Sequence, residues 1–134
     1  MKRTGKFTIG KLSKLSGCVV QTIRYYELIK LLPNPDRSPR GHRLYSEESL
    51  TRLKFILRMR QLGFNLESTR EFLTLIDGET YTCHEIREKT LLHAGEIKRK
   101  IEDLHKMEIE LLHMAEKCND DTGTKCSILE ALFQ

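Results

Sequence analysis

The stretch Phe7-Thr8-Ile9-Gly10-Lys11-Leu12-Ser13-Lys14-Leu15-Ser16-Gly17-Cys18-Val19-Val20-Gln21-Thr22-Ile23-Arg24-Tyr25-Tyr26-Glu27 decides the fold. Ile9, Leu12 and Leu15 recur at helical spacing and share one face. Gly17 breaks that helix, and a second short one runs from Val19 to Glu27. Two short helices on a tight glycine-containing turn form a helix-turn-helix.

Downstream, Leu31-Leu32-Pro33-Asn34-Pro35 closes the unit, because proline cannot continue a helix. Arg37-Ser38-Pro39-Arg40-Gly41-His42-Arg43-Leu44-Tyr45 reads as a small β-ribbon, or wing, carrying three arginines. Ser46 is a good N-cap, with Glu47 and Glu48 in the first turn of a helix that Gly63 ends. A shorter helix follows from Asn65 to about Leu75, and Asp77-Gly78 marks a break.

From about Thr82 to Glu116 there is no proline, and Gly95 is the only glycine. Ile97, Ile101, Leu104, Met107, Leu111 and Met114 follow in steps of three and four, the stripe of a long amphipathic helix. At 1.5 Å per residue it extends about 50 Å, too long to bury its stripe in so small a chain. A partner helix, most simply from a second copy, must cover it. Residues 119–125 read as a polar loop and Ser127–Phe133 as a short closing helix. The expected architecture is mainly α: a winged helix-turn-helix head (1–75), a hinge and long antiparallel coiled-coil dimerisation helix (76–118), and a C-terminal loop and helix (119–134).

Charge separates along the chain. The net +4 of the 134 residues divides into +9 over residues 1–75 and −5 over 76–134, so only the N-terminal half attracts phosphate. A 39% hydrophobic content without tryptophan suits wet-faced helices better than a large core. No apolar run is long enough to span a membrane, and no apolar stretch follows the basic N-terminus, so a cytoplasmic protein is expected. Four cysteines in a reducing compartment read as thiols or metal ligands rather than disulfides.

A recognition helix places donors at base edges while neighbouring groups grip phosphates of double-stranded DNA. Gln21, Thr22, Arg24 and Tyr25 supply the former; Arg37, Arg40, Arg43 and Tyr45 are the wing's candidates for the backbone. Thr22-Ile23-Arg24-Tyr25-Tyr26-Glu27, Leu31-Leu32-Pro33, Gly41-His42-Arg43-Leu44-Tyr45 and Leu62-Gly63-Phe64 together resemble the MerR family of bacterial transcription regulators. The resemblance implies a homodimer on a palindromic promoter with an overlong spacer. It also implies that the effector-loaded dimer distorts that DNA so that RNA polymerase can open it, with repression when metal is absent. Carried over by position, Thr22, Arg24, Tyr25, Arg43 and Tyr45 are the implied DNA contacts. The chain departs from the pattern at Lys30, where glycine is usual and a side chain strains the helix end. It also departs at His42, where tyrosine is common, and at Thr69, where an aliphatic residue is common.

Cys18 reads as a small packed residue. Cys83 and Cys118 lie at the two ends of the long helix, and Cys126 follows across the polar loop. Their 35-residue separation is five heptads, hence one face but about 52 Å apart. In an antiparallel pair, Cys83 of one subunit meets Cys118 and Cys126 of the other, giving two shared sites. Three thiolates suit a soft cation: mercury(II) readily takes three sulfurs, and cadmium(II) and lead(II) accept the same set. Zinc(II) prefers a fourth ligand, for which His84 and Asp120 are candidates. The resemblance places these cysteines where metal-sensing members carry ligands, and a cysteine at position 83 matches the divalent-ion branch. Asp77-Gly78 and Asp103-Leu104 with Met107-Glu108 look most like mercury sensors; the ending from Cys126 to Leu132 resembles zinc and cadmium sensors as much.

His93, His105 and His113 read as solvated or interface residues. No phosphate-cradling glycine loop, Ser-His-Asp series or general base beside a cysteine stands out, so an enzyme is not expected. The alternative within this fold is a redox sensor in which Cys118 and Cys126 form a disulfide.

Overall fold

A computed structural model describes residues 5–118 and 126–134. They divide into two compact units, Met1–Thr82 and Cys83–Gln134.

The first unit contains α1 (Ile9–Ser16), α2 (Val20–Leu28), the ribbon strands β1 (Asp36–Arg37) and β2 (Arg43–Leu44), α3 (Glu47–Gln61) and α4 (Leu66–Gly78). Capping explains the starts. Thr8, Ser46 and Asn65 each accept a hydrogen bond from the backbone N–H three residues on, satisfying a donor that the first helical turn leaves unpaired. Gly17, at φ 79°, turns the chain out of α1, and the Ser13 hydroxyl donates to the Cys18 carbonyl at 2.6 Å across the turn.

The ends of α2 and α3 share one motif. Leu31 N–H donates to Tyr26 O at 2.9 Å and Lys30 N–H to Glu27 O at 3.0 Å. Phe64 N–H donates to Met59 O and Gly63 N–H to Arg60 O, both at 3.0 Å. This is the Schellman motif, a helix end closed by one left-handed residue. Gly63 holds the left-handed position of α3 with φ 88°; Lys30 holds that of α2 with φ 63°. The strain expected at Lys30 therefore has a backbone counterpart.

Leu12 of α1, Ile23 of α2, Leu31 and Leu32 of the following turn, and Leu53 and Ile56 of α3 form the centre of the core with Leu73 of α4. The buried face of α4 is Thr69, Phe72 and Leu73, and Phe72 meets Phe64 edge-on at 5.4 Å. Thr69 is fully buried and donates its hydroxyl to Asn65 O at 2.9 Å, so it needs no partner outside its helix.

The wing pairs Asp36 with Leu44 and Arg37 with Arg43, antiparallel. Phe7 adds a bridge to Tyr45 on the other side. Gly5 lies so close that a Cβ would sit 2.5 Å from Leu44 Cβ, and its N–H donates to the Asp36 carboxylate at 2.9 Å. The segment before α1 thereby anchors the wing.

Helix α4 continues past Leu75 to Gly78, so the sequence boundary at residue 75 falls inside it. The break expected at Asp77-Gly78 coincides with the end of the helix, and Asp77 in that last turn is held by Arg52 of α3. The chain leaves α4 through Glu79, at φ 52°.

The second unit contains α5 (Cys83–Glu116) and α6 (Ser127–Leu132). α5 has no buried residue; Ile101, Leu104, Met107 and Leu111 on its stripe are 56–62% exposed. α6 packs back on α5, and Ser127 Oγ donates to Lys117 O at 3.3 Å. The polar loop 119–125, with Asp120, lies outside the described residues. Among the described residues, no helix is long and apolar enough to cross a membrane.

Candidate nucleic-acid interface and thiol sites

Helix α2 buries Ile23, Tyr26 and Glu27. At 100° per residue, Gln21, Arg24, Tyr25 and Leu28 fall within an arc of about 100° on the opposite side. All four are exposed, and Thr22 flanks them half-buried. A side chain on that arc reaches a groove without disturbing the core. Leu28, 78% exposed, shares this face; its position on the helical wheel was the available signal, but as an apolar residue it attracted no role.

On the wing, Arg37 and Arg40 are exposed. Arg37 Nη1 donates to Gly41 O at 2.9 Å, bracing the tip. A cleft of about 450 Å³ opens between the wing and the helices, lined by Arg24, Arg37, His42 and Arg43 with Thr8 and Ile9. Three guanidinium groups and the N-terminus of α1 around one hollow suit a phosphate. His42, a departure from the family pattern, belongs to this cleft.

Tyr45 does not present itself as a wing donor. It is 1% exposed, and its hydroxyl donates to the carboxylate of Glu27, also buried. Burial and the adjacent carboxylate both push the Tyr45 phenol well above its ordinary range, so it stays neutral. The backbone contact expected of Tyr45 meets a buried ring whose hydroxyl is already bonded to Glu27. Arg43 Nη1 meets the other Glu27 oxygen at 3.3 Å, with the Arg43 side chain 38% exposed and that of Glu27 8% exposed. The sequence reading gave Glu27 no function.

The thiols differ in setting. Cys18 is 5% exposed and burial raises its pKa, as suits a packing residue in the turn. Cys83 and Cys118 are exposed and Cys126 is half-buried, all free. Cys83 begins α5 and Cys118 follows its end, about 52 Å away along the axis. Cys118 and Cys126 flank Lys117 and Ser127, which the Ser127–Lys117 hydrogen bond joins. Accessible thiols are the donors a soft metal ion takes, so the set fits such an ion chemically. Among the described residues, no three His, Cys, Asp or Glu side chains of the single chain are placed to hold a metal. His84, on the first turn of α5, lies 3.9 Å from Glu88. His93 and His105 face Glu96 and Glu108 at 3.8 and 3.6 Å.

Residues 7–76 match the family described as "MerR HTH family regulatory protein", and residues 50–114 match "MerR, DNA binding". The chain is 38% identical over 130 residues to the mercuric resistance operon regulatory protein of Bacillus cereus, covering 96% of this chain and 98% of that one. It is 40% identical over 131 residues to the HTH-type transcriptional regulator ZntR of Escherichia coli, covering 96% and 93%. The fold superposes with a TM-score of 0.82 on a transcription regulator from Ralstonia metallidurans crystallised with lead(II), 37% identical, covering 95% and 99%.

Proposed function

This chain belongs to the MerR family of helix-turn-helix regulators, and from that premise we propose that its effector is a thiophilic divalent metal ion, mercury(II) before zinc(II), cadmium(II) or lead(II). It is a metal-responsive, DNA-binding transcription regulator and not an enzyme. The observation that carries the proposal is the distribution of Cys83, Cys118 and Cys126: accessible thiols at the two ends of one helix, outside the basic head.

The geometry supports a site built by two copies. A stripe with Ile101, Leu104, Met107 and Leu111 more than half exposed calls for a second α5. Antiparallel pairing brings Cys83 of one copy to Cys118 and Cys126 of the other. The pairing then sets the separation of the two heads on a palindromic promoter in the cytoplasm. Metal binding changes that separation and the distortion of the DNA, activating a metal-resistance operon that the metal-free dimer represses, with RNA polymerase as the acting partner.

Overall identity does not rank the metals, because relatives named for mercury resistance and crystallised with lead(II) lie within one percentage point, at 38% and 37%. The donor set favours mercury(II), cadmium(II) and lead(II), which accept three sulfurs, over zinc(II), which wants a fourth ligand such as His84 or Asp120; the resemblance of Asp77-Gly78 and of Asp103-Leu104 with Met107-Glu108 to mercury sensors puts mercury(II) first. Competitive titration of the reduced protein with mercury(II), cadmium(II), lead(II) and zinc(II) tests the order. Mercury(II) is expected to bind first, and Cys83→Ser to abolish tight binding.

The Ser127–Lys117 hydrogen bond also favours a second reading, a redox sensor closing a Cys118–Cys126 disulfide. That reading has no use for Cys83. Unaltered sensing in Cys83→Ser would support it and sink the metal site.

A further inference from the structure

We propose that Glu27 is a positioning residue for DNA-backbone recognition: it holds the Arg43 guanidinium at the phosphate cleft and ties the wing to the recognition helix. The inference rests on the DNA-binding head and is independent of which metal is sensed.

An acidic side chain on the recognition helix of a DNA-binding protein needs a reason, since it repels phosphate. Glu27 is buried on the core face of α2, behind the arc that carries Arg24 and Tyr25. Its carboxylate is divided between two wing residues of one strand face. One oxygen accepts from Tyr45, sealed under the wing; the other pairs with Arg43 Nη1 at 3.3 Å. A carboxylate that is 8% exposed is a strong acceptor, because little water competes for it. Arg43 itself is 38% exposed and lines the cleft with Arg24 and Arg37. A guanidinium carries five N–H donors in a rigid fork, so one arm bonded inward orients the rest outward. Glu27 thereby reduces the side-chain freedom that Arg43 would otherwise lose on meeting DNA. Arg43 pairs with Arg37 across the ribbon, so the same contact fixes the wing relative to α2.

The test uses the sign of the effect. If Glu27 acted only through its charge, Glu27→Gln would tighten DNA binding. Positioning makes the opposite demand. Affinity is measured by fluorescence anisotropy on a duplex that the wild-type full-length protein has selected from a random pool, across a salt series. Glu27→Gln is expected to weaken binding about five- to tenfold. The slope of log affinity against log salt should shrink by up to about 0.9, the loss of one phosphate contact. Arg43→Ala should weaken binding comparably, and the double variant should bind no worse than Arg43→Ala alone. Tyr45→Phe, which breaks only the inner arm, should keep affinity within about twofold. Arg43→Lys covers the case in which Glu27→Gln does not fold: it keeps the charge but not the fork, and should lose affinity like Arg43→Ala. Wild-type or tighter binding by Glu27→Gln, full additivity in the double variant, or wild-type binding by Arg43→Lys would each overturn the proposal. Failure of the wild-type protein to select any duplex would instead count against the DNA-binding head.

Discussion

Arg52 and Asp77 form a two-pronged ion pair, with Nη1 to Oδ1 at 2.8 Å and Nη2 to Oδ2 at 3.0 Å, that joins α3 to the last turn of α4. The same guanidinium donates its Nε–H to Leu31 O at 2.7 Å. One side chain thus holds the turn after the recognition helix and the segment that leads out of the head. The Asp77 side chain is 55% exposed, so water competes for the ion pair. Leu31 is 1% exposed, and its carbonyl is costly to leave unmet.

Asp77→Asn should therefore cost less than about 1 kcal/mol, and Arg52→Ala about 1–3 kcal/mol, in urea unfolding of the head. Equal losses would mean that the ion pair, and not the carbonyl, is the important contact.

Lys30 should yield a stabilising substitution. A non-glycine residue in the left-handed region costs about 1 kcal/mol, and part of the gain from glycine returns as added freedom of the unfolded chain. Lys30→Gly is expected to raise stability by about 0.5 kcal/mol, while Gly63→Ala at the matching position of α3 should lower it by about 1 kcal/mol. Paired thermal melts check both signs; a less stable Lys30→Gly would show that the Lys30 side chain contributes more than its backbone costs.

What could be read beforehand follows a physical division. Caps and breaks are local, so Ser46, Gly17 and Gly63 marked helix ends from sequence alone, and unbroken periodicity marked α5. The burial of Tyr45 was not legible locally, because its hydroxyl partner Glu27 lies 18 residues away and Phe7, whose backbone bridges to it, 38 residues away. Asp77-Gly78 marked the end of α4 in the same local way, whereas the ion pair of Asp77 with Arg52 on another helix was not legible. Glu27 was legible in principle: an acidic residue on the same wheel face as Ile23 and Tyr26 announces a buried partner, though not which one.

Tyr45 also sets an alkaline limit. Its phenol is raised on folding, first by burial and then by Glu27. A group whose folded pKa lies above its unfolded value supports stability fully below the unfolded value, about 10, and loses that support as pH climbs toward the folded one. Between about pH 10 and higher, wild-type stability should fall more steeply than that of Tyr45→Phe, with no difference in slope from pH 6 to 9. Parallel curves throughout would place the ionisation elsewhere.

The trans arrangement of the thiols makes a stoichiometric prediction. Cys83 and Cys118 stand about 52 Å apart on one chain, so a site using both must draw on two copies. In a heterodimer carrying Cys83→Ser on one subunit and Cys118→Ser on the other, both lesions fall in the same site. The second site keeps Cys83, Cys118 and Cys126 intact. Such dimers, isolated with two different affinity tags, should bind one tight equivalent of mercury(II) where the wild-type dimer binds two. Each single-variant homodimer should bind none tightly. Together with an empty Cys83→Ser homodimer, one equivalent per heterodimer cannot arise from sites confined to single chains: a cis site needing both cysteines would give zero in the heterodimer, and a cis Cys118–Cys126 site would still fill the Cys83→Ser homodimer. Two equivalents would mean that neither cysteine is required, and would remove Cys83 and Cys118 from the site altogether.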